Sequence, residues 1–174
     1  AIDIEAIKSK VMRGLSTPTP ILIAPSLFSR SSEIKRWPYD PNAAKALLAE
    51  AGYPNGFEVT LHCPNDRYVN DEAICQATTS MLARVGVKVN LQAQPKAQFF
   101  GRAGASGGFD TSFGMLGWQP SSFDSWNILV NLVGCRDDKG VGGPFNYGGY
   151  CNPKVDELAK KIVVETDVAK RDQM

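Results

Sequence analysis

Apolar positions along the chain recur in two periods, and the switches between them outline the elements. Ile4, Ile7, Val11 and Met12 share one helical face behind Asp3 as a cap, and Gly14 ends that helix. Residues 15–38 hold four prolines among Ser and Thr and predict a long surface loop, a length that often serves function. Asp40-Pro41 then opens a helix, with Asp40 as N-cap, Pro41 in its first turn and Gly52 just past its end; Ala44, Leu47, Leu48 and Ala51 form its apolar stripe. After the turn Tyr53-Pro54-Asn55-Gly56, Phe57, Val59 and Leu61 alternate with Glu58, Thr60 and His62, which is a strand of period two.

A polar loop from Cys63 to Tyr68 leads into a helix over 70–85, closed by Gly86, with Ile74, Ala77, Met81, Leu82 and Val85 on its buried side. Val87, Val89 and Leu91 make the next strand. Strand, helix and strand of these lengths form a βαβ unit, hence a parallel pair with a right-handed crossover. Further on, 95–103 reads as a short helix with Phe99 and Phe100 inward, 104–108 as loose chain, 110–118 as a third strand and 123–133 as a short helix. Asn152-Pro153 opens a last helix with Val155, Leu158, Ile162 and Val163 on one side. The whole is an α/β fold, a mixed sheet flanked by helices.

Length and composition narrow the classes. With 174 residues the chain is one domain or one lobe, and 43% hydrophobic against 21% charged residues is globular. Lys and Arg number 19 against 18 Asp and Glu, so the basic excess of a nucleic-acid binder is missing. No apolar run approaches the ~18 residues of a membrane span. The chain starts at Ala1 without an initiator Met and stops within a helical pattern at Met174, which reads as a piece of a longer protein.

Four cysteines fall as two local pairs, Cys63 with Cys75 and Cys135 with Cys151, the second pair enclosing a Gly-rich stretch. Local pairing is the simplest disulfide scheme and favours an oxidising compartment. Free buried thiols and metal or redox chemistry are the alternatives, the metal reading weakened by the lack of Cys-x2-4-Cys spacing.

Little else carries chemistry. His62 is the single histidine, and there is no Gly-x-Ser-x-Gly; it reads as a strand-end side chain. Residues 101–108 are Gly-rich but match neither phosphate-binding pattern. Asp71 with Glu72, and Asp137 with Asp138, are neighbours that read as solvated; Lys160, Lys161, Lys170 and Arg171 read as a wet face. No catalytic residue, metal site or cofactor emerges. What remains is a recognition surface at strand ends, where ligands of parallel sheets gather. One segment is Asn65-Asp66-Arg67-Tyr68, the other Gly117-Trp118-Gln119-Pro120-Ser121-Ser122-Phe123-Asp124. Arg67 suits a carboxylate or phosphate, and Trp118 offers either an apolar wall or ordinary core.

Four segments together resemble the C-terminal lobe of extracellular solute-binding proteins of the peptide/nickel type that serve ABC importers. They are Ala1 to Ile7 running on to Val11-Met12-Arg13-Gly14, Tyr39 to Tyr53 (Tyr-Asp-Pro-x-x-Ala-Lys-x-Leu-Leu-x-x-Ala-Gly-Tyr), Asn70 to Val89, and Gly117-Trp118 with its aromatic-Asp run. The second of these is the most specific. The resemblance implies one lobe, spanning 1–174, of a two-lobe periplasmic-binding-protein-like fold. It implies binding of a small solute or peptide together with the missing other lobe, delivery to an ABC permease in the inner membrane, and a periplasmic or membrane-anchored location. With the strand-end positions already noted, the candidate ligand-binding set is Asn65, Arg67, Tyr68, Gly117, Trp118, Ser121, Phe123 and Asp124.

The chain departs from dipeptide-binding members at two slots. The Asp that meets the ligand's amino group falls near Ser121, and the Arg for its carboxylate falls near Asn65, with Arg67 close by. A larger peptide, a sugar-like solute or an opine-like compound is thereby left open. A thiol oxidoreductase using Cys63 and Cys75, and a signalling or chaperone receptor on the same fold, are the competing functions.

Overall fold

A computed structural model describes residues 1–137 and 142–174, so Asp138 and the tip of the Gly-rich stretch lie outside the described residues. The chain divides into two compact units. The first comprises Ala1–Pro18, Trp37–Gly101 and Thr111–Gly117; the second comprises Thr19–Arg36, Arg102–Asp110 and Trp118–Met174.

The first unit is built on the βαβ unit. Strands β1 (Glu58–Pro64) and β2 (Lys88–Gln94) pair parallel with Leu61 opposite Leu91. Helix α3 (Asp71–Ala83) crosses between them, and Cys75, Met81 and Val85 are buried. Leu61, Cys63 and Cys75 form the centre of the core, with Val89, Leu91, Phe113 and Met115 packed around it. The Cys63–Cys75 disulfide is part of that core and ties β1 to the first turns of α3. The turn before β1 passes so close to the turn after α3 that a Cβ on Gly56 would run into the Gly86 carbonyl. Both glycines take positive φ, 75° and 95°, which favours glycine.

Helix α1 (Ile4–Ala6) continues as a π turn over Ile7–Val11, with Asp3 accepting from the Ala6 amide at 2.9 Å. Helix α2 (Pro41–Glu50) begins as expected, the Asp40 carboxylate accepting from the Asn42 and Ala43 amides, both at 2.9 Å. Its apolar stripe is only part buried: Ala44 and Leu48 are half-covered, whereas Leu47 is 65% exposed and Ala51 is exposed. Helix α4 (Lys96–Ala103) buries Phe99 completely, with Phe100 edge-on to it at 5.1 Å.

The third strand expected over 110–118 shrinks to one parallel bridge, His62 to Gly114. The His62 amide donates to Phe113 O and the Met115 amide donates to His62 O, both at 3.0 Å, and the ladder stops there. Gly114 lies where a side chain would strike the Thr111 methyl and crowd the Phe99 ring, so the crossing point suits glycine. A glycine in mid-strand weakens the strand in any case.

The second unit holds the helical remainder. The loop expected over 15–38 carries two single turns of 3-10 helix, Pro25–Leu27 and Ser31–Glu33, and the loose stretch near Gly104 carries a third at Ala105–Gly107. Helix α5 (Ser125–Ile128) begins two residues later than the periodicity predicts and runs on as a π turn over Leu129–Val133. The delay has a backbone cause, since Phe123 sits at φ 52° and cannot join a right-handed helix. Helix α6 (Pro153–Ile162) starts at the Asn152 cap and buries Ala159 and Ile162. Leu158 and Val163, expected on the buried side, are exposed, and Ala159 takes the buried place beside Ile162. Helix α7 (Val168–Gln173) follows. Cys135 and Cys151 are bonded, and the buried Asn146 organises the loop they close. Its Nδ2 donates to Gly134 O at 2.8 Å and Tyr150 O at 2.6 Å, while its Oδ1 accepts from the Tyr150 amide.

Candidate functional site

In a parallel pair both strands end on the same side, and the first candidate segment leaves β1 there. The Asn65 amide donates to Gln94 O at 3.0 Å, carrying the β1–β2 pairing one step past the strand end. The next three residues are held by side chains. Asp66 Oδ1 accepts from the Lys96 amide at 2.6 Å, which caps α4. Asp71 Oδ2 accepts from the Arg67 and Tyr68 amides and Oδ1 from the Glu72 amide, all at 2.9 Å. Asp71 is only 4% exposed, so the expectation of a solvated carboxylate is corrected. Burial pushes its carboxyl upward, but the Tyr68, Arg67 and Glu72 amides outweigh that and hold it below the usual range.

The loop so fixed presents Arg67 outward, its guanidinium 5.2 Å from the centre of the Tyr68 ring. Tyr68 is half-buried and reaches across to a second candidate residue: its hydroxyl donates to Gly117 O at 3.1 Å. The ring lies against Gly117 so closely that a Cβ there would sit 2.7 Å from it. Glycine at 117 is thus a matter of space. Asn65 and Arg67 are exposed at the same strand end. The structure therefore brings Asn65, Arg67, Tyr68 and Gly117 into one patch of the first unit.

The remaining candidates belong to the second unit. Trp118 is half-buried, its Nε1 donating to Asn127 Oδ1 at 2.8 Å and its ring edge-on to Phe145 with centroids 4.8 Å apart. A turn follows in which the Phe123 amide donates to Pro120 O at 3.1 Å; Pro120 is buried, and Ser121 and Phe123 are exposed. Phe123 is held at positive φ, a strained backbone for a large side chain, and is 65% exposed.

Asp124 is committed elsewhere. It caps α5 by accepting from the Trp126 amide at 2.8 Å and pairs with Arg171 at 2.6 Å, both side chains about a quarter exposed. Arg171, expected on a wet face, is thereby a structural partner, its Nε also donating to Ile162 O. The Arg171 hydrogen bond holds the Asp124 carboxyl below its usual range against the opposing effect of burial, and the Trp126 amide adds to it.

Sequence reasoning missed two residues here, Asp71 and Arg171. Asp71 carries a local signal, an acidic residue three and four positions after loop amides that need acceptors. Arg171 carries none, because its partner is 47 residues away. The two buried cysteines of the first unit are bonded to each other, with Cys63 fully buried and Cys75 2% exposed, out of reach of a substrate thiol. That disfavours the oxidoreductase alternative.

Comparison with known proteins bears on the family and the fold. Among curated relatives, heme-binding protein A of Haemophilus influenzae is 30% identical across 98% of this chain and 30% of its own length. Glutathione-binding protein GsiB of Escherichia coli K12 is 29% identical across the entire chain and 34% of its own length. The chain thus spans about a third of the curated relatives it matches. Among solved structures, the periplasmic binding protein DppA of Helicobacter pylori, in complex with the peptide STSA, superposes over 99% of this chain and 32% of its own with a TM-score of 0.83. At 22% identity that likeness speaks to the fold, which is that of periplasmic binding proteins. The model of the family described as bacterial extracellular solute-binding proteins, family 5, middle region, matches residues 1–140, and the chain belongs to that family.

Proposed function

We propose that the protein is the solute receptor of an ABC importer and that this chain, 1–174, supplies one lobe of it. It captures a peptide or related small solute outside the cytoplasm, in the periplasm or anchored to the membrane, and hands it to a permease in the inner membrane. The observation that carries this reading is the family 5 match over residues 1–140. The relatives' names point the same way, since one binds glutathione, another heme, and DppA holds a peptide.

The residues refine the class of solute. We assign the ligand-facing surface to Asn65, Arg67, Tyr68 and Gly117 in one unit and, separately, to Trp118, Ser121 and Phe123 in the other. Arg67 is the cation placed to meet a carboxylate, and its planar fork suits two-point contact. Ser121 and Asn65 bring no charge. Asp124 brings one that Arg171 already neutralises. A solute recognised through one carboxylate, with amide and aromatic contacts for the rest, fits this set better than a free dipeptide, whose ammonium lies too near its carboxylate to stay in water as that of a longer peptide can.

Isothermal titration of the whole protein checks this, with reduced glutathione, a tetrapeptide and a dipeptide as probes. One-to-one binding of the tripeptide or tetrapeptide at micromolar Kd, about 8 kcal/mol, with the dipeptide at least tenfold weaker, is the expected result. Heat from none of the three, or tightest binding of the dipeptide, refutes it.

A further inference from the structure

The Cys63–Cys75 disulfide closes the stretch between β1 and α3, and Asp71 fastens the same stretch from inside. Its carboxylate is unusual in using both oxygens on backbone amides of residues that bracket it, two in the loop before and one in the helix after. The preceding residue, Asn70, stands at φ 56°, so the chain reverses sharply just where the carboxylate turns back on the loop. Such a conformation persists when its surroundings over-determine it. Two of the three amides belong to Arg67 and Tyr68, and Tyr68 reaches Gly117.

We propose that Asp71 is a positioning residue for the solute-facing loop: by holding the Arg67 and Tyr68 amides it sets where the Tyr68 ring stands on Gly117 and where the Arg67 guanidinium is presented. This rests on the reading above that these residues border the solute. Asp71 touches no solute itself. It acts through the backbone, as groups that support a binding constellation from behind generally do. The hydroxyl of Tyr68 and the missing Cβ of Gly117 are the two ends of the contact it sets.

The consequence is separable from stability. An alanine at 71 leaves three amides without their acceptor and frees the loop, whereas asparagine, with one carbonyl oxygen, can still serve the Arg67 and Tyr68 pair. Deletion of Leu61 side-chain atoms destabilises the same core and leaves the loop contacts intact.

The test uses nuclear magnetic resonance on the whole protein, labelled at Arg, Tyr and Gly. Gly117 lies against an aromatic ring, so its Hα resonances carry a ring-current shift. In Asp71→Ala that shift collapses and amide exchange at Arg67 and Tyr68 quickens at least tenfold. In Asp71→Asn most of both effects is recovered, and Leu61→Ala leaves the Gly117 shift in place. An unchanged Gly117 shift in folded Asp71→Ala overturns the proposal, and if that variant does not fold, wild-type amide exchange at Arg67 and Tyr68 as fast as in an unprotected loop does so. The glutathione titration separates the two readings. A collapsed Gly117 shift with at least tenfold weaker binding supports both. A collapsed shift with unaltered binding overturns Asp71 as a positioning residue for the solute, and takes Tyr68 and Gly117 out of the ligand-facing set. If wild type binds none of the probes, the functional reading fails, and the Gly117 shift alone decides what Asp71 does to the loop.

Discussion

Removing the Asp124 carboxylate separates two roles that the sequence leaves merged. The side chain caps α5 through the Trp126 amide at 2.8 Å and pairs with Arg171 at 2.6 Å. Loss of an N-cap acceptor costs about 1 kcal/mol. The pair has side chains 26% and 27% exposed, between the surface case of ~0.2–1 kcal/mol and the ~3–5 kcal/mol of breaking a buried pair. A value of ~1–2 kcal/mol follows for the ion pair. Asp124→Ala is therefore expected to lose about 2–3 kcal/mol, and Asp124→Asn, which keeps a capping oxygen, about 1–2 kcal/mol.

Chemical denaturation at pH 7 measures both, and a double-mutant cycle with Arg171→Met isolates the pair. The coupling should be about 1–2 kcal/mol, because Arg171→Met also loses the bond to Ile162 O and the cycle subtracts that cost. The pH dependence has a definite sign. With a folded carboxyl held below its unfolded value of about 4, the stabilisation is fully present above that value and disappears as pH falls through the folded value. The deficit of Asp124→Asn should then shrink steadily as pH falls below the unfolded value. Coupling below about 0.3 kcal/mol, within the additivity of independent sites, refutes the structural assignment and returns Asp124 to the solute.

Leu61→Ala, at a position 2% exposed in the core of the first unit, should cost about 2–5 kcal/mol in the same denaturation assay; a loss under 1 kcal/mol would mean that the core is elsewhere. Gly56→Ala should destabilise by more than about 1 kcal/mol, from positive φ alone before the collision with Gly86 is added, and an unchanged denaturation midpoint would contradict the close approach of the two turns. Asn146→Ala leaves the Gly134 and Tyr150 carbonyls and the Tyr150 amide without their partner and should cost about 1–3 kcal/mol; peptide mapping should still recover Cys135 joined to Cys151. Stability should also fall in acid as Asp71 protonates, since its depressed carboxyl stabilises above the unfolded value and not below its own, and Asp71→Asn should flatten that part of the profile.

What could be read in advance follows the range of the interactions. Caps act over two or three residues, and Asp3, Asp40 and Asn152 all accept the amides that their positions imply. Period-two alternation located β1, and the crossover length made it parallel to β2. Both cysteine pairs are local, and both are bonded as spacing suggested. The misses are of longer range or depend on backbone sign. Alternation over 110–118 looks like a strand, yet a glycine at its middle weakens pairing, and a single bridge at Gly114 forms. An apolar stripe shows which face a helix can bury and not how far a neighbour covers it, hence the exposure of Leu47, Leu158 and Val163.

At the candidate site the same distinction sorts the residues by what each is free to do. Sequence reasoning grouped Asn65, Arg67, Tyr68, Gly117, Trp118, Ser121, Phe123 and Asp124 by position, because all follow strand ends or a strand-like run. The structure divides them between the two units and commits each side chain differently. Asp124 is taken up by a cap and an arginine, and Trp118 has one edge on Phe145 and its donor on Asn127. Tyr68 is held to Gly117 by its hydroxyl. Arg67 differs, since its backbone amide is fixed by Asp71 while its guanidinium is turned outward beside the Tyr68 ring. A charge on a fixed stem loses little freedom when it binds, which is where preorganised affinity comes from. Arg67→Ala in the whole protein should accordingly weaken the best-bound probe by about 1–3 kcal/mol, roughly tenfold to a hundredfold, with the denaturation midpoint unchanged. Arg67→Lys, which keeps the charge and loses the fork, should recover only part of that. Full affinity in Arg67→Ala would show that the solute's carboxylate, if it has one, is met elsewhere, and would remove the one cation that this assignment uses.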